Sequence, residues 1–288
     1  MKLYSNASEY LNYIVSVIRD IVMIHKLFDF ACSVVIFGSA ARPNDFIIGV
    51  SDVDVLILTR NKPDKWIYNF DIAESRVNAV VFMVDDFKRL IELGHPLIFM
   101  LKYHIVIRDD GCFKNLIKIK PKITSYTRRV LRKSIFAALG LALENYLIFR
   151  DYKFAISHLV HCIRHLARYL CSFKDLFPVS DEEICNCIGG EFRKLFIEIS
   201  NLRRKCEIDS YKLKIMFSRV LNLIADKLNL KATSLASLES IVSRGAHLIC
   251  AGEVDGYMAF RIEVFNGDRR KVFEIFNDKV REVDSIFF

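Results

Sequence analysis

Two aspartates one residue apart, Asp52 and Asp54 in the run SDVDVLIL from Ser51 to Leu58, are the residues whose spacing most directly suggests chemistry. In a β-strand, positions i and i+2 face the same side, so the two carboxylates stand together. Such a pair repels itself unless a cation compensates it. Magnesium (Mg2+), which also takes phosphate oxygens, is the expected cation. Upstream, the β-branched run CSVVIF delivers Gly38 and Ser39 at its tip, and twelve residues separate Ser39 from Asp52. Gly38 lets backbone approach a phosphate closely, while the Ser39 hydroxyl and neighbouring amides can hold the terminal phosphates of a nucleotide. Arg42 is placed to neutralise them. The set would hold metal, nucleotide and departing pyrophosphate together.

The elements that must carry these residues follow from hydrophobic period. Asn6 caps an opening helix, with Glu9 at capping-box spacing and Leu11, Ile14, Val15, Ile18, Ile21 and Val22 on one face. Strands are predicted over 31–37, 53–58 and 76–84, the first two as buried apolar runs. A short helix starts at Asp85 or Asp86 and ends near Gly94, Pro96 starts another, and residues 105–108 form a short strand. Beyond Pro121 the period becomes helical over 125–149, 152–171, a capped segment from Ser180 with Glu183, and 211–228, with Gly189-Gly190 interrupting the third. This is an antiparallel helical bundle.

The tail is read as a helix near 237–243, a strand over 247–251, a turn at Asp255-Gly256 and a strand YMAFRIEVF. Met258, Phe260, Ile262 and Val264 alternate there with Arg261 and Glu263, which makes one face buried and the other wet. Asn266-Gly267 then releases a closing helix carrying Val272, Phe276, Val280 and Val283. The predicted fold class is α+β: a small mixed-sheet domain over 1–118, a helical bundle over 119–230 and a small α+β appendage over 231–288, the last a regulatory or dimerising unit of a homodimer.

The ordered match of strand, Gly38-Ser39, Ala41-Arg42, Ser51-Asp-Val-Asp54 and apolar strand resembles the signature of the DNA polymerase beta-like nucleotidyltransferase superfamily, especially its minimal nucleotidyltransferases. The likeness covers roughly residues 1–110. It implies a metal-dependent enzyme that transfers a nucleoside monophosphate from an NTP, with ATP the expected one, to a hydroxyl acceptor on a small molecule, protein or RNA. It implies that Asp52 and Asp54 hold magnesium, and that Gly38, Ser39 and Arg42 bind the nucleotide. Active relatives carry a third acidic residue on the next strand, where this chain has Asn78. An amide can ligate a cation but is no strong general base. The alternative reading is therefore a catalytically weakened nucleotide-binding or antitoxin-like module that acts through protein association. Asp71, Glu74, Asp85 and Asp86 flank that strand as potential substitutes.

A bundle behind such a domain resembles either a substrate-binding helical domain, as in aminoglycoside nucleotidyltransferases, or a HEPN-like bundle. RNase-active HEPN bundles carry an Arg with a His about one helical turn or more later; over 121–230 no Arg is followed by His at that spacing, the interval from Arg150 to His158 being too long, so no RNase is signalled. His158, His161 and His165 share a helical face with Arg164 and Arg168. They are read as locally partnered bundle histidines in preference to a metal or phosphate site, since no acidic ligand shares their spacing.

Composition bounds the rest. The 288 residues are 52% hydrophobic and 26% charged, which fits a folded chain of about two domains. The net charge of +8 is matched by one stretch: Lys114, Lys118, Lys120, Lys122, Arg128, Arg129, Arg132 and Lys133, with no acidic residue between Gly111 and Leu143. Residues 114–133 could bind RNA or another polyanion, against the alternative of a solvated helix face. No segment is long and apolar enough for a membrane span, and no secretory signal is visible, which places the chain in the cytoplasm. The eight cysteines show no CxxC pair, so neither zinc nor a disulfide framework is expected. The absence of glutamine points to a thermophilic source, and fourteen asparagines oppose it.

Overall fold

The structure is a computed structural model that describes residues 6–23, 28–205, 208–266 and 269–288. Contacts gather the chain into two compact units, 1–128 with 177–183, and 129–176 with 184–288.

Unit 1 is built on five strands: β1 (Ala31–Phe37), β2 (Val53–Thr59), β3 (Ile67–Ile72), β4 (Ser75–Met83) and β5 (Ile105–Asp109), in the order β3-β4-β2-β1-β5. Every neighbouring pair is antiparallel except β2 and β4, so the sheet is mixed. Both faces are covered, which is why β1 and β2 read as unbroken apolar runs. Val34, Ile36, Val55 and Ile57 pack with Tyr10, Leu11, Ile14 and Ile18 of α1 (Ala7–Met23). Val35, Phe37, Leu56 and Leu58 pack with Phe87 and Ile91 of α2 (Val84–Leu93), Ile98 of α3 (Pro96–Met100) and Phe113 of α4 (Cys112–Leu116). Each such buried side chain contributes about 2 kcal/mol of transfer free energy.

The predicted helix signals are realised in this unit. Glu9 N–H donates to Asn6 Oδ1 at 2.9 Å, Gly94 closes α2 at φ 69°, and Pro96 opens α3 behind His95. β3 is an addition to the sequence reading. It is an edge strand that alternates exposed and half-buried positions, so its apolar content does not stand out.

Unit 2 combines α5 (Ser125–Glu144, from Arg129 onward), a π-helical turn over Asn145–Phe149, α6 (Tyr152–Ser172), α7 (Asp181–Cys187, from Ile184 onward), α8 (Gly190–Arg203), α9 (Ser210–Leu228) and α10 (Leu235–Val242) with the strands β6 (Ala246–Val254), β7 (Tyr257–Asn266), β8 (Arg269–Phe276) and β9 (Lys279–Val283). The strands form an antiparallel meander in chain order. They share one hydrophobic core with the helices: Leu139, Leu159, Ile163, Phe217 and Ile224 join Met258, Phe260, Ile262 and Ile275. Gly140 makes this approach close, because a Cβ there would lie 3.0 Å from the Ile249 carbonyl oxygen and 3.2 Å from the Ala251 nitrogen.

The alternation read in β7 holds: Met258, Phe260, Ile262 and Val264 are buried, while Arg261 and Glu263 face the other side and make ion pairs with Glu274 and Arg270. The predicted closing helix is corrected to the hairpin β8–β9. Val272, Phe276 and Val280 do recur at helical spacing, but Asn277 and Asp278 both adopt positive φ, the pair of left-handed residues that a two-residue hairpin turn needs. Of the Asn266-Gly267 turn signal, Gly267 lies outside the described residues. The expectation of no disulfide is also corrected, since Cys32 bonds to Cys112 and Cys171 to Cys187. Spacing could not reveal these pairs, because strand and helix packing brings the cysteines together across 80 and 16 residues. No helix among the described residues is long and apolar enough to cross a membrane.

Candidate functional site

The site forms where β1 and β2 run side by side. Phe37, the last residue of β1, pairs with Asp54 of β2. The chain then turns at Gly38, with φ 72°, into a 3-10 turn over Gly38–Ala41. A Cβ on Gly38 would strike the Asp54 carboxylate. Only glycine accommodates both the positive φ and this approach.

β4 supplies the third member. Asn78 stands opposite Asp54 in the parallel register, and its Nδ2 donates to Asp52 Oδ2 at 3.1 Å. Three of the sequence-predicted residues, Asp52, Asp54 and Asn78, thus converge beside Gly38. Burial pushes the Asp54 carboxyl up to about 7, the negative charge of Asp52 pushes the same way, and Arg42 offsets part of the rise. A carboxylate in this state is one that a nearby cation would return to its ionised form. Two carboxylates and an amide oxygen are hard donors, the kind magnesium takes. Among the described residues no three His, Cys, Asp or Glu gather into a metal-binding group, so Asp71, Glu74, Asp85 and Asp86 add no third carboxylate. Asp71 faces Arg76 across the β3–β4 hairpin, and Asp85 and Asp86 lie in the first turn of α2.

Arg42 is held more firmly than a loop arginine suggests. Its Nε donates to Asp45 Oδ2 at 2.7 Å, and both side chains are more than nine-tenths buried. Nη1 is buried too, and among the described residues it has no hydrogen-bond partner. The guanidinium carbon lies 6.0 Å from the centre of the Tyr103 ring. Tyr103 hydroxyl donates to Glu183 Oε1 at 2.8 Å, and Lys102 Nζ donates to the same oxygen at 2.5 Å. Glu183 also accepts from the Val179 N–H at 2.6 Å, and the predicted cap closes through Glu183 N–H to Ser180 Oγ at 3.1 Å. Sequence reasoning missed Asp45, Tyr103 and Lys102. The Arg42–Asp45 spacing of three was the one available signal, whereas Tyr103 is brought in by the fold alone. Ser39 is half-buried, and its carbonyl accepts from the Arg42 N–H at 2.9 Å.

His158, His161 and His165 share α6, with burial and then the charges of Arg168 and Arg164 driving His165 down to about 3. It is neutral in ordinary conditions. Within the basic stretch, Lys114, Lys118, Lys120 and Lys122 are exposed in unit 1, whereas Arg132 in unit 2 is tied to Glu253 and Tyr169.

No protein-family model matches the chain, and no curated protein is similar to it. Among solved structures, it is similar to a nucleotidyltransferase-like protein from Exiguobacterium sibiricum 255-15, at 15% identity and a TM-score of 0.30, over 86% of this chain and 98% of that one.

Proposed function

We propose that the chain is a magnesium-dependent nucleotidyltransferase that moves a nucleoside monophosphate from ATP or another NTP to a hydroxyl acceptor. The observation that carries this reading is the convergence of Asp52, Asp54 and Asn78 beside the bare backbone of Gly38, with Asp54 held near neutrality. Asp52 and Asp54 would hold the metal, which when bound supplies positive charge for the triphosphate and for charge developing at the α-phosphate. Gly38 leaves the backbone open to phosphate oxygens, with Ser39 next to it. Arg42, anchored by Asp45, offers the buried Nη1 donor to a phosphate. In the transfer, the acceptor oxygen bonds to the α-phosphorus as the bond to the bridging oxygen breaks, and pyrophosphate leaves with that electron pair.

Asn78 favours a second reading. In the place where relatives set a third carboxylate, its amide cannot take the acceptor's proton. The proton then passes to solvent, and the chain works as a slow enzyme or as a nucleotide-binding module acting through protein association.

Incubation with each labelled NTP, magnesium and candidate acceptors decides between the two, with pyrophosphate release as the readout. Calorimetry supplies the control: nucleotide binding should require magnesium and be lost in the double variant Asp52→Ala with Asp54→Ala. Equal nucleotide affinity in wild type and double variant would refute both readings.

A further inference from the structure

Unit 1 contains a half-open cavity of about 330 Å3 whose lining includes none of the residues assigned to the nucleotide. Its walls are almost wholly apolar: Phe87, Ile98, Phe99, Phe113, Ile119 and Phe177 contribute, with Phe99 and Phe177 stacked at 4.5 Å between ring centres. Such a volume and lining are those of small-ligand pockets. Lys102 is the one charged side chain on the wall, and it is paired with Glu183.

The segment after α4 gives the cavity a charged rim. Ile117, Ile119 and Pro121 line the wall, and Lys118, Lys120 and Lys122 alternate with them as exposed side chains. None of these three lysines makes an ion pair among the described residues; Lys118 only reaches Asn115 Oδ1 at 3.4 Å. No carboxylate occurs anywhere from Gly111 to Leu143 to neutralise them. An apolar hollow with ammonium groups free of ion pairs along one lining segment selects a ligand with one apolar tail and an anionic head.

We propose that this cavity binds a soluble amphiphile with a single alkyl chain and an anionic head group, the chain in the hollow and the head on Lys118, Lys120 and Lys122. The hollow is concave, and Ile117 and Ile119, exposed at 41% and 39%, belong to its lining. A concavity takes in a single chain, whereas a membrane surface is bound by the continuous apolar face of an amphipathic helix. An RNA strand would leave the apolar hollow unfilled, because it binds through stacking platforms and phosphate contacts.

The test is calorimetry of the full chain with alkyl phosphates from butyl to dodecyl, each below its micelle concentration. Affinity should rise about fourfold per added methylene and level off once the hollow is full. The alcohol of equal length should bind at least tenfold more weakly. Ile119→Trp, which fills the mouth, should abolish the dependence on chain length. The exposed triple variant Lys118→Gln with Lys120→Gln and Lys122→Gln should keep that dependence and lose the preference for phosphate over alcohol, so the proposal stays testable if Ile119→Trp does not fold. Affinity independent of chain length overturns it, as does binding to anionic vesicles or to RNA without any binding of the alkyl phosphates.

Discussion

Asp54 and Glu274 are both acidic side chains withdrawn from water, and their surroundings treat them in opposite ways. Glu274, fully buried on β8, sits between two arginines: Arg261 Nε donates to Oε2 at 2.8 Å and Arg281 Nε to Oε1 at 2.7 Å. Burial alone would raise its pKa, yet the two guanidinium groups hold it below the usual carboxylate value. Asp54 is buried beside a second carboxylate, and the charge of Arg42 offsets only part of the rise, so its pKa climbs to about 7. A structural carboxylate is one whose charge the fold has already answered. A carboxylate left unanswered beside an open backbone marks a candidate site, and the contrast singles out Asp54 without reference to any relative.

The largest effect should separate the two directly. Glu274→Gln removes the charge that Arg261 and Arg281 share and should cost about 3 kcal/mol of unfolding free energy. Asp54→Asn in metal-free protein removes a charge the fold tolerates poorly and should be neutral or stabilising. Urea denaturation of the two variants side by side reads the difference, and equal losses would break the comparison.

Acid supplies a smaller effect. The pKa of Glu183 stands at about 2, since its bonds to Lys102, Tyr103 and the Val179 and Ser180 amides outweigh its burial. Its folded pKa is depressed, so its contribution is present above about 4.5 and is lost as pH falls toward 2; after allowance for partial exposure it is about 1–2 kcal/mol. Asp54 has a raised folded pKa and runs the other way: its contribution is present below about 4 and is lost as pH rises through 7. Thermal melts of wild type and Glu183→Gln from pH 5 to pH 2 should converge at the acid end. Parallel curves across that range would show that Glu183 is not depressed.

Asn78→Asp gives the finest test. It places a third carboxylate beside Asp52 and Asp54, which should raise pyrophosphate release about tenfold, equivalent to about 1.4 kcal/mol of barrier, while NTP affinity changes by less than about twofold. The extra negative charge should lower stability slightly without metal. Brisk turnover in the wild type with no gain in the variant would show that another group takes the acceptor's proton.

What the sequence made legible follows from the range of the interactions involved. Gly38 directly follows β1, Asp52 directly precedes β2 and Asp54 lies on β2, and the two strands are adjacent and joined by one loop, so spacing alone brings the three together. The assignment of Asn78 rested on the resemblance to nucleotidyltransferases that carry a third acidic residue on the next strand, and the parallel register of β2 and β4 sets Asn78 opposite Asp54. Asp45 was hidden because a short loop ion pair resembles any surface pair. Tyr103 was hidden because only the tertiary fold carries its ring to Arg42. In the tail, one period misled: Val272, Phe276 and Val280 suit a helix, but Asn277-Asp278 outweighs that spacing by turning the chain back on itself. The cysteines were misread for the same reason as Tyr103, since their pairing is a property of packed elements.

The Cys32–Cys112 bond has a further meaning in terms of chain connectivity. It joins the residue after the first of β1 to the first of α4, so the covalent chain of unit 1 closes into a ring that contains all the residues assigned to metal and nucleotide. One peptide cleavage inside the ring, in the loop 61–65 for example, where Asn61, Lys62, Asp64 and Lys65 are exposed, opens the circle without separating the pieces. The nicked protein keeps its mass on a non-reducing gel and divides into two chains only with a thiol. Two cleavages within the ring release the segment between them, so proteolysis can count breaks in the candidate site by whether a fragment leaves.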